Sequence, residues 1–382
     1  MKTLAILLLG FILLSNKFSS ASQQPKEKLQ YFFVGTYTGS GSEGIYAYSL
    51  NPASGKLINH GLAAKSNNPS FLTLTSDRKF LIAVNEVSDK NKGDMGYIES
   101  FEVTNDGIHL TPLSKVASGG ADPCYVSVNQ SGYILAANYS GGNVALFRLH
   151  KTGILSDLSD MDQHIGNGPN KGRQASPHVH SAFFEPGSNR IFVADLGIDK
   201  VAVYRLDSIH HKLIKEPIGE INIPSGSGPR HLAFHPTLKI IYVVNEITSN
   251  ITVVAANKDD SFKILETVSA LPLNNKQPNT CADIHISKDG RFLYASNRGF
   301  NSIAIFSVNS LNGKIAQIGQ ESTRGDAPRN FTLSPDEDFL IVGNQKTNEI
   351  VSFRRDKTTG KLQFANQIKA FSPVCLLFRN QN

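Results

Sequence analysis

The stretch FLIAVNE, residues 80–86, is an apolar run that ends on Asn85, and runs of the same kind recur along the chain. Each full copy ends on one Asn or Asp: Asn85, Asn138, Asp195, Asn245, Asn297 and Asn344. The steps between these residues are 53, 57, 50, 52 and 47. YFFVGTY, residues 31–37, is a partial copy that aligns Gly35 with Asn85. Seven copies at a period of about 50 residues indicate a repeat architecture.

Each copy has similar neighbours. A segment containing Pro lies about 16 residues upstream, as at Pro69 and Pro123, and an alternating strand such as NVALFRL (143–149) follows downstream. Turns such as Thr152-Gly153 then lead to a fourth strand, and Gly there supplies the positive φ that a hairpin needs. Four short strands in each of seven copies predict an all-β, seven-bladed β-propeller with four antiparallel strands per blade.

The first copy lacks an inner strand, and the end of the chain supplies one. SPVCLLF, residues 372–378, matches the missing strand. We therefore expect the C-terminal strand to complete blade one and close the ring, which removes an exposed sheet edge. Two solenoid domains fit the repeats less well, because the two partial ends complement each other. One propeller domain is expected over residues 29–382.

The N-terminal segment is predicted to be a signal peptide, residues 1–21, followed by a short linker, residues 22–28. Lys2 precedes the apolar run from Leu4 to Leu14, which is too short to span a bilayer. Ser19-Ser20-Ala21 then offers small residues for cleavage. This pattern predicts an exported protein, periplasmic or secreted, with no membrane anchor after cleavage. The alternative is a buried N-terminal strand.

Composition excludes several classes of function. The net charge of +6, from 38 basic and 32 acidic residues, is small for this length and argues against nucleic-acid binding. Cys124, Cys281 and Cys375 are far apart, so neither a zinc motif nor a disulfide framework is indicated. We expect no cofactor, no metal and a monomer whose partner is a small molecule.

Charged side chains are predicted to gather at one rim of the ring, where inner strands begin and second strands end; we call this rim the channel mouth. Aligned on the Pro position, the next inner-strand residues are Ser70, Cys124, His180, Arg230, Ala282, Arg329 and Val374. One position further lie, among others, His231 and Asp283. The second strands run antiparallel to the inner strands, so their ends add Glu86, Glu246 and Arg298.

Four of these residues differ from their counterparts in the other copies, which favours function over a structural repeat. They are predicted to be catalytic: His180, Glu246, Arg230 and Arg298. A second set is predicted to bind substrate: His178, His231, Arg329, Asn245, Asn297 and Glu86. Two structural alternatives stay open. The recurrent Asn can instead bond the backbone at a strand end, and the charged residues can form salt bridges between blades.

The chemistry of these groups is coherent. Arginine forks suit a carboxylate or phosphate, and an arginine can stabilise an oxyanion. His180 or Glu246 can act as general base on water; we favour His180, because arginines near Glu246 would make it a weaker base. Activity is then expected to rise with pH in one step near neutrality. His178-x-His180 also allows a metal, but no third ligand follows at a fixed spacing. Together these groups favour hydrolysis or ring closure of an anionic, ester-like molecule.

Four motifs resemble the lactonase family of seven-bladed propellers: SPHVHSA (176–182), GSGPRH (226–231), VNE (244–246) and SNRG (296–299). This family includes propeller-type 6-phosphogluconolactonases and carboxy-muconate lactonizing enzymes, and the resemblance covers about residues 31–380. It implies a carboxylic ester hydrolase that converts 6-phosphogluconolactone to 6-phosphogluconate without a metal. It also places the His, Glu and two Arg of the muconate branch on His180, Glu246, Arg230 and Arg298.

Other functions remain open at this point. An exported member of the family also fits an unphosphorylated sugar lactone, because a phosphorylated intermediate is expected in the cytoplasm. A non-catalytic exported propeller would bind a glycan or a protein. A cycloisomerase of the muconate type would form a lactone ring instead of opening one.

Overall fold

The computed structural model describes residues 28–39, 41–89, 93–257 and 259–379 and contains 28 β-strands. The predicted signal peptide, residues 1–21, and all but the last residue of the predicted linker lie outside the described residues. Across the described ranges, no helix is long and apolar enough to cross a membrane.

The strands form seven antiparallel sheets of four, which are the seven predicted blades. In chain order the first three blades contain β1 (Gln30–Thr36), β2 (Gly44–Leu50), β3 (Leu57–Lys65); β4 (Leu72–Leu74), β5 (Phe80–Asp89), β6 (Met95–Val103), β7 (Leu110–Ala117); and β8 (Pro123–Val128), β9 (Tyr133–Asn138), β10 (Asn143–Arg148), β11 (Asp160–Gln163). Blades 4 and 5 contain β12 (Val179–Phe184), β13 (Arg190–Asp195), β14 (Lys200–Asp207), β15 (Lys212–Asn222); and β16 (Pro229–Phe234), β17 (Ile240–Asn245), β18 (Asn250–Ala256), β19 (Phe262–Ser269). Blades 6 and 7 contain β20 (Thr280–Ile286), β21 (Phe292–Arg298), β22 (Ser302–Val308), β23 (Ile315–Ser322); and β24 (Pro328–Leu333), β25 (Phe339–Asn344), β26 (Glu349–Arg355), β27 (Leu362–Lys369). The last strand is β28 (Pro373–Phe378).

The C-terminal strand closes the ring, as predicted. β28 is the inner strand of blade 1 and pairs with β1, with Phe378 opposite Phe32 and Pro373 opposite Thr36. In blade 3 the equivalent pair is Pro123 and Asn138. Thr36 is therefore the counterpart of the recurrent Asn, and the alignment on Gly35 was wrong by one residue.

The second strands are mainly apolar because each blade packs between two others. In β17, Tyr242 and Val244 belong to the core that blades 5 and 6 share, whereas Ile241 and Val243 belong to the core shared with blade 4. Successive side chains of a strand point to opposite faces, so both faces of β17 are buried. This arrangement explains why the repeated runs are continuous instead of alternating.

A β-bulge after the Pro position recurs in the inner strands of six blades. In β16, for example, Pro229 pairs with Asn245 and His231 with Val244, so Arg230 has no opposite residue. His180 and Arg329 occupy the same bulge position in β12 and β24. A bulge redirects a side chain, so one repeated backbone feature aims these residues at the channel mouth.

Candidate active site

Glu246, which directly follows β17, is the centre of the candidate site. Its Oε1 accepts a hydrogen bond from Nη2 of Arg173 at 2.5 Å, and its Oε2 accepts one from Nε of Arg230 at 2.9 Å. The same Oε2 lies 2.9 Å from Nη2 of Arg298. Burial alone would raise the pKa of Glu246, but Arg298 and Arg230 hold this pKa well below its usual range. The carboxylate therefore stays ionised at neutral pH and holds three guanidinium groups together.

Arg230 is the most deeply buried of these arginines. Its Nη1 donates to the carbonyl of Ala282 at 2.6 Å and lies 3.2 Å from Nε2 of His231. Burial, and then the charges of Arg298 and Arg329, lower the pKa of Arg230 to about 10. At neutral pH it is still a cation, and its orientation is fixed by partners on three sides.

His180 lies beside this cluster, with 4% of its surface exposed. Its Nε2 is 3.9 Å from Oε2 of Glu246, and its Nδ1 is 3.8 Å from the Cys124 sulfur. Burial, and then the charge of Arg230, lower the pKa of His180 well below 6.5. The imidazole is therefore neutral at neutral pH and can accept a proton.

Tyr37, Glu86 and Arg329 form a second group at the mouth. The Tyr37 hydroxyl donates to Oε1 of Glu86 at 2.7 Å, and Nη2 of Arg329 lies 4.0 Å from that oxygen. The Arg329 guanidinium also lies over the Tyr37 ring, 5.3 Å from its centroid. Oε2 of Glu86 is buried and has no hydrogen-bond partner among the described residues. The sequence analysis missed Tyr37 because aligning Gly35 with the recurrent Asn made Thr36, and not Tyr37, the counterpart of Glu86 and Glu246.

His178 lies against the neighbouring aromatic residue Tyr139. Their rings stack at 4.4 Å with an interplanar angle of 13°, and Nδ1 of His178 is 3.1 Å from the Tyr139 carbonyl oxygen. His180 meets the same Tyr139 ring edge-on at 5.5 Å. Within the described ranges, no group of three or more His, Cys, Asp or Glu side chains is arranged to hold a metal ion.

Asn245 and Asn297 are not brought into the channel mouth, although they were predicted to bind substrate. Both are fully buried. The Asn297 amide donates to the carbonyl of Ala270 at 2.8 Å, and the Asn245 amide donates to Oδ1 of Asn250 at 2.7 Å. Asn344 makes a bond like that of Asn297, to the carbonyl of Thr323. These contacts fit the structural alternative, in which the recurrent Asn holds a strand end.

His231, which is predicted to bind substrate, is held by protein groups at both ring nitrogens. It is 4% exposed, and its Nδ1 lies 2.8 Å from Oδ1 of Asp283 while its Nε2 faces Arg230. Both ring nitrogens are thus engaged within the protein. A cavity of about 350 Å³ lies further along the channel, where His231 and Asp283 line it together with Phe71 and Tyr125.

Arg173 is the main site residue that the sequence analysis missed. It lies in the connection between β11 and β12, residues 164–178, and its side chain is 39% exposed. This connection falls within the longest step between copies, 57 residues from Asn138 to Asp195. The extra length of this copy could have indicated a functional insertion, because inserted residues in one copy of a repeat have no structural counterpart in the others.

The comparisons with known proteins agree with this fold. The family model described as "Lactonase, 7-bladed beta-propeller" matches residues 31–378. The chain belongs to the lactonase family. The resemblance inferred from four motifs is thereby confirmed, whereas the roles of His180, Glu246, Arg230 and Arg298 remain predictions.

Among lactonase-family relatives, the chain is 36% identical over 352 residues to a 6-phosphogluconolactonase of Bacillus subtilis, covering 91% of this chain and 98% of that protein. A 6-phosphogluconolactonase of Formosa agariphila is 35% identical, covering 87% and 94%. The structure of a periplasmic gluconolactonase of Pseudomonas aeruginosa superposes with a TM-score of 0.87 at 31% identity, covering 93% and 100%.

Proposed function

We propose that this lactonase-family protein is a carboxylic ester hydrolase that opens 6-phosphogluconolactone to 6-phosphogluconate. The relatives named 6-phosphogluconolactonase support this substrate. The observation that carries the proposal is the charge at the channel mouth, where four arginines surround two carboxylates: Arg173, Arg230, Arg298 and Arg329 with Glu246 and Glu86. This formal excess of two positive charges suits a phosphate monoester, which carries about −1.5 to −2 at pH 7.

In the proposed mechanism, neutral His180 is the general base. It takes a proton from water as the water oxygen bonds to the lactone carbonyl carbon. The carbonyl oxygen becomes an oxyanion, which Arg298 stabilises. Nε of Arg298 suits this role, because it is buried and has no hydrogen-bond partner among the described residues. The ring C–O bond then breaks, His180 returns its proton to the leaving oxygen, and the new carboxylic acid ionises to release one proton.

Glu246 has a different role in this mechanism. Both of its oxygens are occupied by arginines, and those arginines lower its pKa. His180 differs in its contacts, because its Nε2 lies 3.9 Å from the carboxylate, beyond hydrogen-bond distance, and can accept a proton from water. Glu246, whose oxygens already accept from cationic donors, therefore acts as the anchor that holds the guanidinium groups around the substrate.

A second candidate substrate is an unphosphorylated sugar lactone such as glucono-1,5-lactone. The structural similarity to a periplasmic gluconolactonase supports it, as does the predicted signal peptide at residues 1–21. Export to the periplasm belongs to the same proposal, because a phosphorylated intermediate is expected inside the cell.

A panel of lactones tests the proposed function. The mature protein is mixed with 6-phosphoglucono-1,5-lactone or glucono-1,5-lactone under weak buffering, and acid release is compared with the uncatalysed rate and with His180→Ala. We expect faster release from the phosphorylated lactone. A higher kcat/KM on glucono-1,5-lactone would support the second candidate. Wild-type rates equal to the uncatalysed rate on both lactones would overturn the hydrolase proposal and leave a binding propeller.

A further inference from the structure

We propose that Arg173 binds the phosphate of the substrate and sets the preference for a phosphorylated over an unphosphorylated sugar lactone. This inference rests on the proposed function, since it assigns the substrate's anionic group to one residue of the same site. It concerns a residue outside the four family motifs, in the inserted connection between β11 and β12.

The Glu246 carboxylate divides the mouth into two sides. Its Oε2 side faces Arg230, Arg298 and His180, the groups assigned to the reacting carbonyl. On its Oε1 side, Arg173 is the charged residue that contacts it among the described residues. A substrate with its carbonyl near His180 would therefore extend its other end toward Arg173.

Arg173 also has free donors. Among the described residues its guanidinium binds through Nη2 alone, to Glu246 and, at 3.4 Å, to the Tyr139 hydroxyl. Nε and Nη1 are left for a ligand, and the side chain is 39% exposed. An arginine fork with two free donors is suited to bidentate binding of phosphate oxygens.

The other arginines are less available. Arg230 and Arg298 each donate to a backbone carbonyl, that of Ala282 and that of Cys281 respectively. Arg329 lies over the Tyr37 ring, and its side chain is only 19% exposed. These contacts hold their guanidinium groups within the channel mouth, whereas Arg173 lies on the connection between β11 and β12 and is more exposed than the other three.

The backbone at Arg173 is fixed by its neighbour. Gln174 is fully buried, and its Nε2 donates to the carbonyl of Leu196 at 2.9 Å and to Oδ1 of Asp199 at 2.8 Å. Asp199 in turn accepts hydrogen bonds from the backbone N–H groups of Gly226 and Gly228, just before Arg230. The connection is thus tied to the segment that carries Arg230, which sets the spacing between the two arginines.

The test compares Arg173→Gln and Arg173→Lys with the wild type on the phosphorylated and unphosphorylated lactones. Gln stays polar but loses the charge and the fork, and it is too short to replace the Nη2 contact with Glu246. We expect Arg173→Gln to raise KM for 6-phosphoglucono-1,5-lactone about 10-fold or more, with a much smaller change in kcat. The rise in KM for glucono-1,5-lactone should be much smaller. Arg173→Lys should keep part of the preference for the phosphorylated lactone. Arg205→Ala is the matched control, at an exposed arginine paired with Glu216, and it should leave kcat and KM unchanged on both lactones.

If Arg173→Gln raises KM equally for both lactones, or leaves the preference between them unchanged, the role of Arg173 is overturned while the hydrolase proposal stands. If the wild type opens neither lactone, the hydrolase proposal fails, and Arg173 is judged by calorimetry with 6-phosphogluconate and gluconate. If Arg173→Gln then binds 6-phosphogluconate more weakly than the wild type but binds gluconate equally well, the role of Arg173 is supported. Equal binding by variant and wild type, or no binding by either, would overturn it.

Discussion

His231 and Asp283 form a buried pair in which Nδ1 of the imidazole lies 2.8 Å from Oδ1 of the carboxylate. On the other side of the ring, Nε2 lies 3.2 Å from Nη1 of Arg230. Because arginine only donates hydrogen bonds, Nε2 must accept, and the proton of neutral His231 resides on Nδ1. Burial, and then the charge of Arg230, lower the pKa of His231 to about 4, in agreement with a neutral ring. A carboxylate–imidazole–guanidinium chain therefore positions Arg230.

Asp283→Asn should reduce kcat about 10-fold while leaving KM nearly unchanged, because a neutral amide holds the imidazole and thus Arg230 less firmly. Steady-state kinetics on the better lactone measure this split, and thermal unfolding shows whether the variant folds. Asp289→Asn is the control, since Asp289 pairs with Arg291 on the surface. A folded Asp283→Asn protein with wild-type kcat would contradict the positioning role.

His180→Ala should lower kcat by roughly 10²–10⁴ with little change in KM, because it removes the proton acceptor.

The pH dependence of activity follows from the lowered pKa of His180. A base works when it is deprotonated, so kcat/KM rises as pH passes upward through that pKa. The step therefore lies well below pH 6.5, more acidic than the sequence analysis expected. A pH–rate profile measures it; a step that survives in His180→Ala but disappears in Glu246→Gln would reverse the two roles.

The fold was predictable because repetition amplifies a weak signal. A single run such as FLIAVNE can be a strand or a buried helix segment, but six full copies with a recurring Asn and a complementary C-terminal strand fit one architecture. The error at Gly35 and Thr36 arose from the partial copy, where no Pro preceded the strand to fix the register.

The site was only partly predictable. The bulge brings Arg230 and His231 into contact with one another, although neighbouring residues of a regular strand would point to opposite faces. Aligning the repeats places both residues at the channel mouth but does not reveal the contact between them. Arg173 was missed for a different reason, because a residue in a non-repeating loop has no register from which its position can be inferred.

Glu246→Gln should destabilise the protein, because it leaves the clustered guanidinium groups without their shared counter-charge. Breaking a buried ion pair costs about 3–5 kcal/mol, so we expect the free energy of unfolding to fall by about 3 kcal/mol. Urea denaturation measures this change. The surface pair of Glu216 and Arg205, whose side chains are 20% and 50% exposed, offers the control, since Glu216→Gln should cost less than about 1 kcal/mol. Equal effects of the two substitutions would show that Glu246 does not hold the site together.

Ring closure can be tested at Leu376, which is 4% exposed in the core shared by blades 7 and 1. Leu376→Ala should lower the free energy of unfolding by about 2–5 kcal/mol, because it opens a cavity at the point where the two chain ends meet. Leu311→Ala, at a leucine that is 88% exposed, should change the free energy of unfolding by less than about 0.5 kcal/mol.

Deleting the chain from Pro373 onward removes all of β28 and exposes an edge of β1. The expected loss of stability is comparable with a typical total free energy of unfolding of about 5–15 kcal/mol. A truncated protein that unfolds at the wild-type temperature would show that β28 does not stabilise the ring.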